Sequence, residues 1–146
     1  MDVLRLLCWC QNVRPDDLSS ISTETERENL ITLGLIKRHQ RSDTLLLTNS
    51  GRAFLQAALE GDVPNLTLSY HDAAIERRVR LSSLMMTAYH AGINVFTITA
   101  NSLAEPSTLF ITAITRSRGH NPWGSARVGA IAHLGDVYYA AHYVCP

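Results

Sequence analysis

Histidine, cysteine and acidic side chains are where chemistry would start, and in this sequence their spacing works against it. Six histidines stand at positions 39, 71, 90, 120, 133 and 142. None forms an H-x-H or H-x-x-x-H arrangement, the spacings that put two imidazoles on one strand or helix face to grip a metal. Cysteines stand at Cys8, Cys10 and Cys145. An odd count and a lone C-x-C pair give neither a disulfide framework nor a zinc site, so they read as buried thiols. A restriction-type nuclease needs an acid, then a second acid and a lysine two residues apart, to hold metal and activate water. The single lysine is Lys37, and Asp136 is the only acid among the last 40 residues. Tyr138, Tyr139 and Tyr143 lack the clustered histidines of a relaxase, and neither G-x-S-x-G nor a Walker-type loop is present. The sequence reads as non-enzymatic, with no metal and no cofactor.

What the sequence does concentrate is positive charge on one polar turn. Lys37, Arg38, His39 and Arg41 lie within five residues, a density that suits phosphate or minor-groove contact. The alternative is a solvated loop. Net charge is zero, with 13 basic and 13 acidic residues, so any nucleic-acid affinity must come from a local patch. It would be modest unless a homodimer doubles it.

The elements around that turn are well marked. Apolar residues Val3, Leu4, Leu6, Leu7 and Trp9 predict a short buried helix over Asp2–Gln11, capped by Asp2. Arg14-Pro15-Asp16-Asp17-Leu18 opens a second helix ending near Ile21, with proline at its first position and acids complementing the dipole. Thr23-Glu24-Thr25-Glu26 matches the capping box. The helix it starts has an apolar face of Leu30, Ile31 and Leu33, and Gly34 sits at its left-handed exit. Short strands over 35–38 and 44–47 flank the His39–Asp43 turn, and Thr48 or Asn49 caps a helix to Leu59.

Helix, helix, helix, hairpin, helix is the order of a winged helix-turn-helix. Leu33-Gly34-Leu35-Ile36-Lys37-Arg38, followed by Leu46-Leu47-Thr48-Asn49-Ser50-Gly51-Arg52-Ala53-Phe54-Leu55, resembles the helix exit, wing and fourth helix of bacterial winged-helix regulators. The resemblance implies that Ser22–Leu33 is a recognition helix, with Thr23, Thr25, Arg27 and Asn29 as groove contacts. It implies a wing carrying Lys37, Arg38, His39 and Arg41. The exposed set Glu24, Glu26, Arg27, Glu28 and Asn29 departs from a comfortable DNA reader, because three acids face one base. Glutamate can nonetheless accept from cytosine in the major groove.

Residues 61–146 are read as a second domain after a linker at Gly61–Asn65. A long helix is expected from Ala73 to His90, capped by Asp72 and stopped by Gly92. Arg77, Arg78 and Arg80 near its start are a solvated face, or a secondary basic surface for DNA or an acidic partner. Strands are expected over Asn94–Ile98 and Thr108–Ile114. Ala126–Leu134 and Val137–Val144 flank Gly135-Asp136 as a hairpin. Its expected core face is Val128, Ala130, Ala132, Leu134, Val137, Tyr139, Ala141 and Tyr143. Gly129, Ile131, His133, Tyr138, Ala140 and His142 are placed on the other face, the two histidines too far apart along it to share a metal. The 116–127 loop holds Arg116, Arg118 and Trp123. It suits an anion or a nucleic-acid backbone, or is simply a disordered connection.

Gly92-Ile93-Asn94-Val95-Phe96, Ser125-Ala126-Arg127 before Val128-Gly129-Ala130-Ile131, and Gly135–Val144 resemble the plasmid and mobile-element replication-relaxation family. That resemblance implies a DNA-associated role in plasmid or integrative-element maintenance, in a truncated or minimal version of a commonly longer protein. The expected whole is α+β: an N-terminal winged helix (1–60), then a long helix and a small, mostly antiparallel sheet (61–146). The expected function is a DNA-binding accessory or regulatory protein, probing double-stranded DNA as a homodimer. A protein-interaction module on the same scaffold and a small-ligand sensor are the alternatives. The longest run without charged residues, Leu81–Ala104, is too polar for a membrane span. With no signal-peptide pattern, the expected address is the cytoplasm of a bacterial cell.

Overall fold

Nine residues are too few for a stable isolated helix, so α1 (Asp2–Cys10) depends on burial, and its side chains show it. Val3, Leu4, Leu6, Leu7, Cys8, Trp9 and Cys10 are all buried. Each such large apolar side chain contributes roughly 1.5–3 kcal/mol of burial free energy. The computed structural model of the chain describes residues 1–59, 63–64, 72–97, 104–111 and 128–142. Of residues 72–74, 110–111, 128–129 and 142 only the backbone is described. These residues make an α+β protein.

Two compact units divide the chain: Met1–Val63 with Ser69–Ser83, and Pro64–Leu68 with Leu84–Pro146. In the first, α1 is followed by α2 (Pro15–Leu18), α3 (Glu24–Thr32), β1 (Ile36–Arg38), β2 (Leu45–Leu47), α4 (Asn49–Leu59) and the start of α5 (Asp72–His90). β1 and β2 pair antiparallel, with Ile36 opposite Leu47 and Arg38 opposite Leu45. A third, single-residue partner comes from the α1–α2 connection, where Val13 bridges Leu45 antiparallel. Leu18, Ile36, Leu45 and Leu55 complete the core of this unit.

The turn from β2 into α4 is built on two sequence-marked residues. Thr48 Oγ1 accepts the Gly51 amide at 2.9 Å, capping α4, and its hydroxyl lies 2.6 Å from the Gly34 carbonyl oxygen. Gly51 must be glycine, because a Cβ there would collide with the Leu35 carbonyl oxygen. Gly34 has φ +71°, the left-handed exit expected of it.

In the second unit, Gly92 (φ +81°) ends α5. Asn94 then forms a parallel bridge to Thr108, and β3 (Thr108–Ile111), β4 (Val128–Leu134) and β5 (Val137–His142) form an antiparallel sheet in that order. Met85, Val95 and Leu109 are buried, and Thr97 Oγ1 donates to the Leu109 carbonyl at 2.9 Å. The hairpin turn is as expected. Leu134 pairs with Val137 across Gly135-Asp136, and of the two only Gly135 (φ +60°) has a positive φ, as a glycine-first turn requires.

Several expectations are corrected. Asp2 is the first helical residue rather than a side-chain cap, and α2 stops at Leu18. Asp72 is likewise the first residue of α5. The supposed apolar face of α3 is not a core face: α3 has no buried residue, and Leu33 is 70% exposed. Beyond the bridge at Asn94, Val95–Thr97 are not part of a strand among the described residues. The hairpin face read as core is open at its outer end, with Val137 50% and Tyr139 53% exposed, while Ile131 of the other face is buried. A register shift between Val128 and Ala130 also places Val128 opposite His142, so the strict alternation used to separate those two residues fails there. Most of the linker, the 116–127 loop with Arg116, Arg118 and Trp123, and the chain beyond His142 lie outside the described residues.

Candidate nucleic-acid interface

β1 leaves the core after one residue. Ile36 is buried, and Lys37 and Arg38 are exposed. The chain then folds through a turn that its own side chains fix. His39 N–H donates to the Thr44 carbonyl at 2.9 Å. The His39 ring turns inward, its Nδ1 accepting from the amides of Arg41 (3.3 Å) and Ser42 (3.1 Å). The Ser42 hydroxyl lies 2.9 Å from that nitrogen and 2.7 Å from Thr44 Oγ1. Around this turn Lys37, Arg38, His39, Gln40, Arg41 and Leu46 line a shallow hollow of about 330 Å³. All four basic residues expected on the wing therefore border one depression.

One of the four is committed elsewhere. Arg38 Nη2 forms an ion pair with Glu28 Oε1 of α3, both side chains about half exposed. That pair offsets part of the positive charge at the edge of the hollow.

α3 holds its candidate contacts less freely. Thr23 is spent on the capping box: its Oγ1 accepts the Glu26 amide at 3.2 Å, while its own amide donates to Glu26 Oε2 at 2.6 Å. Those bonds from Thr23, the backbone one first, hold the Glu26 carboxyl below the usual carboxylate range. The Arg27 guanidinium folds back onto Ser22, 2.8 Å from its carbonyl oxygen and 3.1 Å from its hydroxyl. Thr25 and Asn29 are exposed, in the company of exposed Glu24 and Glu28.

The arginines of α5 are also placed. Arg78 Nε donates to Asn12 Oδ1 at 2.7 Å, and Arg80 pairs with Glu76 one turn earlier at 3.3 Å. Arg77 is exposed on the same helix. Arg41 and Ser42 border a second hollow of about 280 Å³ with Ile75, Glu76 and Val79 of α5.

Four residues that matter here are not singled out by the sequence: Asn12, Ser42, Thr44 and Ser82. Asn12, Thr44 and Ser82 are buried polar residues, and each is bonded. Asn12 Nδ2 donates to Thr44 Oγ1 at 3.1 Å, and the single Ser82 hydroxyl proton lies within reach of the carbonyls of Asn12 (2.7 Å), Arg78 (2.7 Å) and Cys10 (3.1 Å). No local spacing marks partners 32 or 70 residues apart in the chain. The only available signal is a run of hydroxyl residues around Asp43 in a turn that also carries a histidine.

The thiols are inert by environment. Burial pushes Cys8 up to about 11, against the lowering influence of Arg52, whose Nη1 lies 3.6 Å from Sγ. Burial pushes Cys10 higher still. Neither supplies a thiolate near neutral pH. Among the described residues, no group of three or more histidine, cysteine or acidic side chains could hold a metal ion, and no helix is long and apolar enough to cross a membrane. Comparison of the chain with protein-family models, curated proteins and solved structures finds no match in any of the three.

Proposed function

We propose that the chain is a non-catalytic DNA-binding accessory or regulatory protein whose wing, rather than α3, makes the leading contact with the phosphate backbone. The observation that carries this is the hollow bordered by Lys37, Arg38, His39 and Arg41 on a turn held by its own hydrogen bonds. A cationic surface whose shape is already set loses little on meeting a duplex. The order α1-α2-α3-β1-β2-α4, closed by the Val13 bridge, supports a winged helix over residues 1–60, with the start of α5 grouped with it rather than with a separate 61–146 domain. The resemblance to replication-relaxation proteins supports a setting in plasmid or mobile-element replication or transfer, and a homodimer would double a contact that one wing makes weakly.

The test is a fluorescence-anisotropy titration with random duplex DNA at low and moderate salt. Binding should weaken steeply with salt, and replacing Lys37, Arg38 and Arg41 by alanine should flatten the log–log salt slope by about 2–3, roughly one per lost phosphate contact. Absence of binding at low salt would end this reading. A second reading is then favoured by a specific observation. α3 presents Glu24, Glu28 and a 70% exposed Leu33 with its own arginine turned away, a surface suited to a basic protein partner.

A further inference from the structure

We propose that Asn12, Thr44 and Ser42 are positioning residues for the wing, forming a one-way hydrogen-bond chain from Arg78 that fixes His39 as a neutral Nε2–H donor for a phosphate oxygen. This rests on the wing as the phosphate contact, and it adds the residues that set the wing's shape and the form of its histidine.

The direction of the chain follows from donor counting. A guanidinium has donors only, so the atom 2.7 Å from Arg78 Nε is the oxygen of Asn12. That orientation turns the Asn12 NH₂ toward Thr44 Oγ1 at 3.1 Å. Asn12 is 1% exposed and Thr44 3%, so a flipped amide would face two donors toward each other with little water to compensate. At the far end, the amides of Arg41 and Ser42 can only donate, and both point at His39 Nδ1. Nδ1 must carry its lone pair, and the ring proton sits on Nε2.

The two hydroxyls between these ends have one consistent arrangement. Ser42 Oγ donates to Nδ1 across 2.9 Å, since the reverse would oppose lone pairs. Having spent its proton there, Ser42 accepts from Thr44 across 2.7 Å. Thr44 in turn accepts from Asn12. Each link from Arg78 to Ser42 has one consistent sense, and at its end the single Nδ1 lone pair is shared by the Ser42 hydroxyl and the two amides. Nε2–H remains as the ring's donor, on a residue that borders the cationic hollow. A neutral donor there adds direction to a site whose lysine and arginines supply charge.

The experiment reads the ring directly. ¹⁵N NMR of the His39 side chain at about pH 8 should show the Nε2–H tautomer as the dominant form; a dominant Nδ1–H form would overturn the chain. Thr44→Val and Ser42→Ala should leave the Nε2–H form dominant, because the Arg41 and Ser42 amides still aim at Nδ1. They should speed amide exchange at Arg41 and Ser42 and weaken duplex binding roughly three- to tenfold, the scale of one lost hydrogen bond. Thr44→Ser should restore both. Ser42 is only half-buried at the surface turn, so Ser42→Ala remains informative should Thr44→Val fold poorly. Unchanged amide exchange at Arg41 and Ser42 in Ser42→Ala would overturn the chain. The duplex arm fails separately. If the triple alanine variant of Lys37, Arg38 and Arg41 binds as the wild type does, the wing reading is lost while the tautomer still judges the chain. If that variant loses binding and His39→Ala does not, the chain stands and the phosphate role of His39 falls.

Discussion

α3 and the wing are neighbours in the chain and opposites in construction. α3 carries the clearest local signal of any element, a capping box with both of its bonds in place and a glycine exit, yet none of its side chains is fully buried, Leu30 and Ile31 being half-buried. The wing has little local signal beyond its charge, yet Leu45 in its second strand is 1% exposed and its turn is tied to α5 through buried Asn12. A nine-residue helix still needs packing, and α3 gets it from Leu30 and Ile31, but its capping box lets it form with fewer buried side chains than α1 has. A two-stranded ribbon is marginal in water until something holds it. In this protein the element with the weaker local propensity is the one the rest of the unit braces. That bracing is why we assign it the leading contact.

The largest test of the contrast is a pair of leucines. Leu45→Ala should destabilise the protein by about 2–5 kcal/mol, because it opens a cavity beneath the wing and weakens the strand that also pairs with Val13. Leu33→Ala on α3 should stay within about 0.5 kcal/mol. Urea melts with unchanged slopes would read both. Equal costs would mean that α3 is packed against something and that the two elements are not opposites.

Charge and polarity give the next largest effect. Removing Lys37, Arg38 and Arg41 together should weaken duplex binding at low salt by roughly 10- to 100-fold, each phosphate contact adding its share of counterion release. Thr25→Ala with Asn29→Ala on α3 should change it less than about twofold, since neither leads the approach. A loss on α3 as large as that on the wing would restore α3 as the reading helix.

The same contrast explains what could be read from sequence. Thr23, Glu26, Gly34 and Gly135 act through bonds or backbone angles within a few residues of themselves, so their types and spacing suffice; Thr48 caps α4 locally, but its reach to the Gly34 carbonyl is not encoded by spacing. Gly51 was visible as part of a motif, but its reason, the close approach of the Leu35 carbonyl, needed the fold. Asn12 and Ser82 gain their roles from partners far along the chain, which no periodicity encodes. Arg27 was read as an outward base because helix spacing placed it there, and a bond back to Ser22 is invisible to spacing. Leu30, Ile31 and Leu33 matched an apolar face, but a pattern says which residues can be buried and not whether a partner surface exists. Alternation along the hairpin failed for a related reason. It assigns side chains to faces without saying which face is covered, and the shift at Gly129 breaks the count.

A smaller effect belongs to the cap of α3. Thr23→Ala should destabilise the protein by about 1 kcal/mol, the usual cost of losing a side-chain N-cap. Part of the deficit should depend on pH, with a definite sign. Glu26 has its carboxyl held below the ordinary range in the folded protein. Of its bonds the variant removes only the one from the Thr23 hydroxyl, at 3.1 Å, which stabilises the fold above the ordinary glutamate range and is lost as pH falls through the folded value. Thermal melts of wild type and variant at pH 7 and about pH 3 should differ less at the lower pH. Some gap should remain, because the bond from the Glu26 amide to Thr23 Oγ1 does not titrate. A gap that widens on acidification would mean that Glu26 is not the partner whose charge matters.

The smallest effect would test whether α3 restrains the wing. Arg38 is paired with Glu28 across two elements, with both side chains about half exposed. Exposed pairs of this kind are worth less than about 1 kcal/mol, so Glu28→Gln should barely move the unfolding midpoint. Its effect on DNA should run the other way. Losing the carboxylate removes one repulsive charge from α3 and releases Arg38 toward the hollow, so duplex affinity at low salt should rise by about two- to fivefold and the salt slope should steepen by up to about one. Arg38→Ala in the same background should erase the gain. A Glu28→Gln variant that binds more weakly than wild type would mean that the carboxylate itself touches the duplex, as a cytosine-reading glutamate would. The contrast between an acidic bystander helix and a cationic wing would then have to be abandoned.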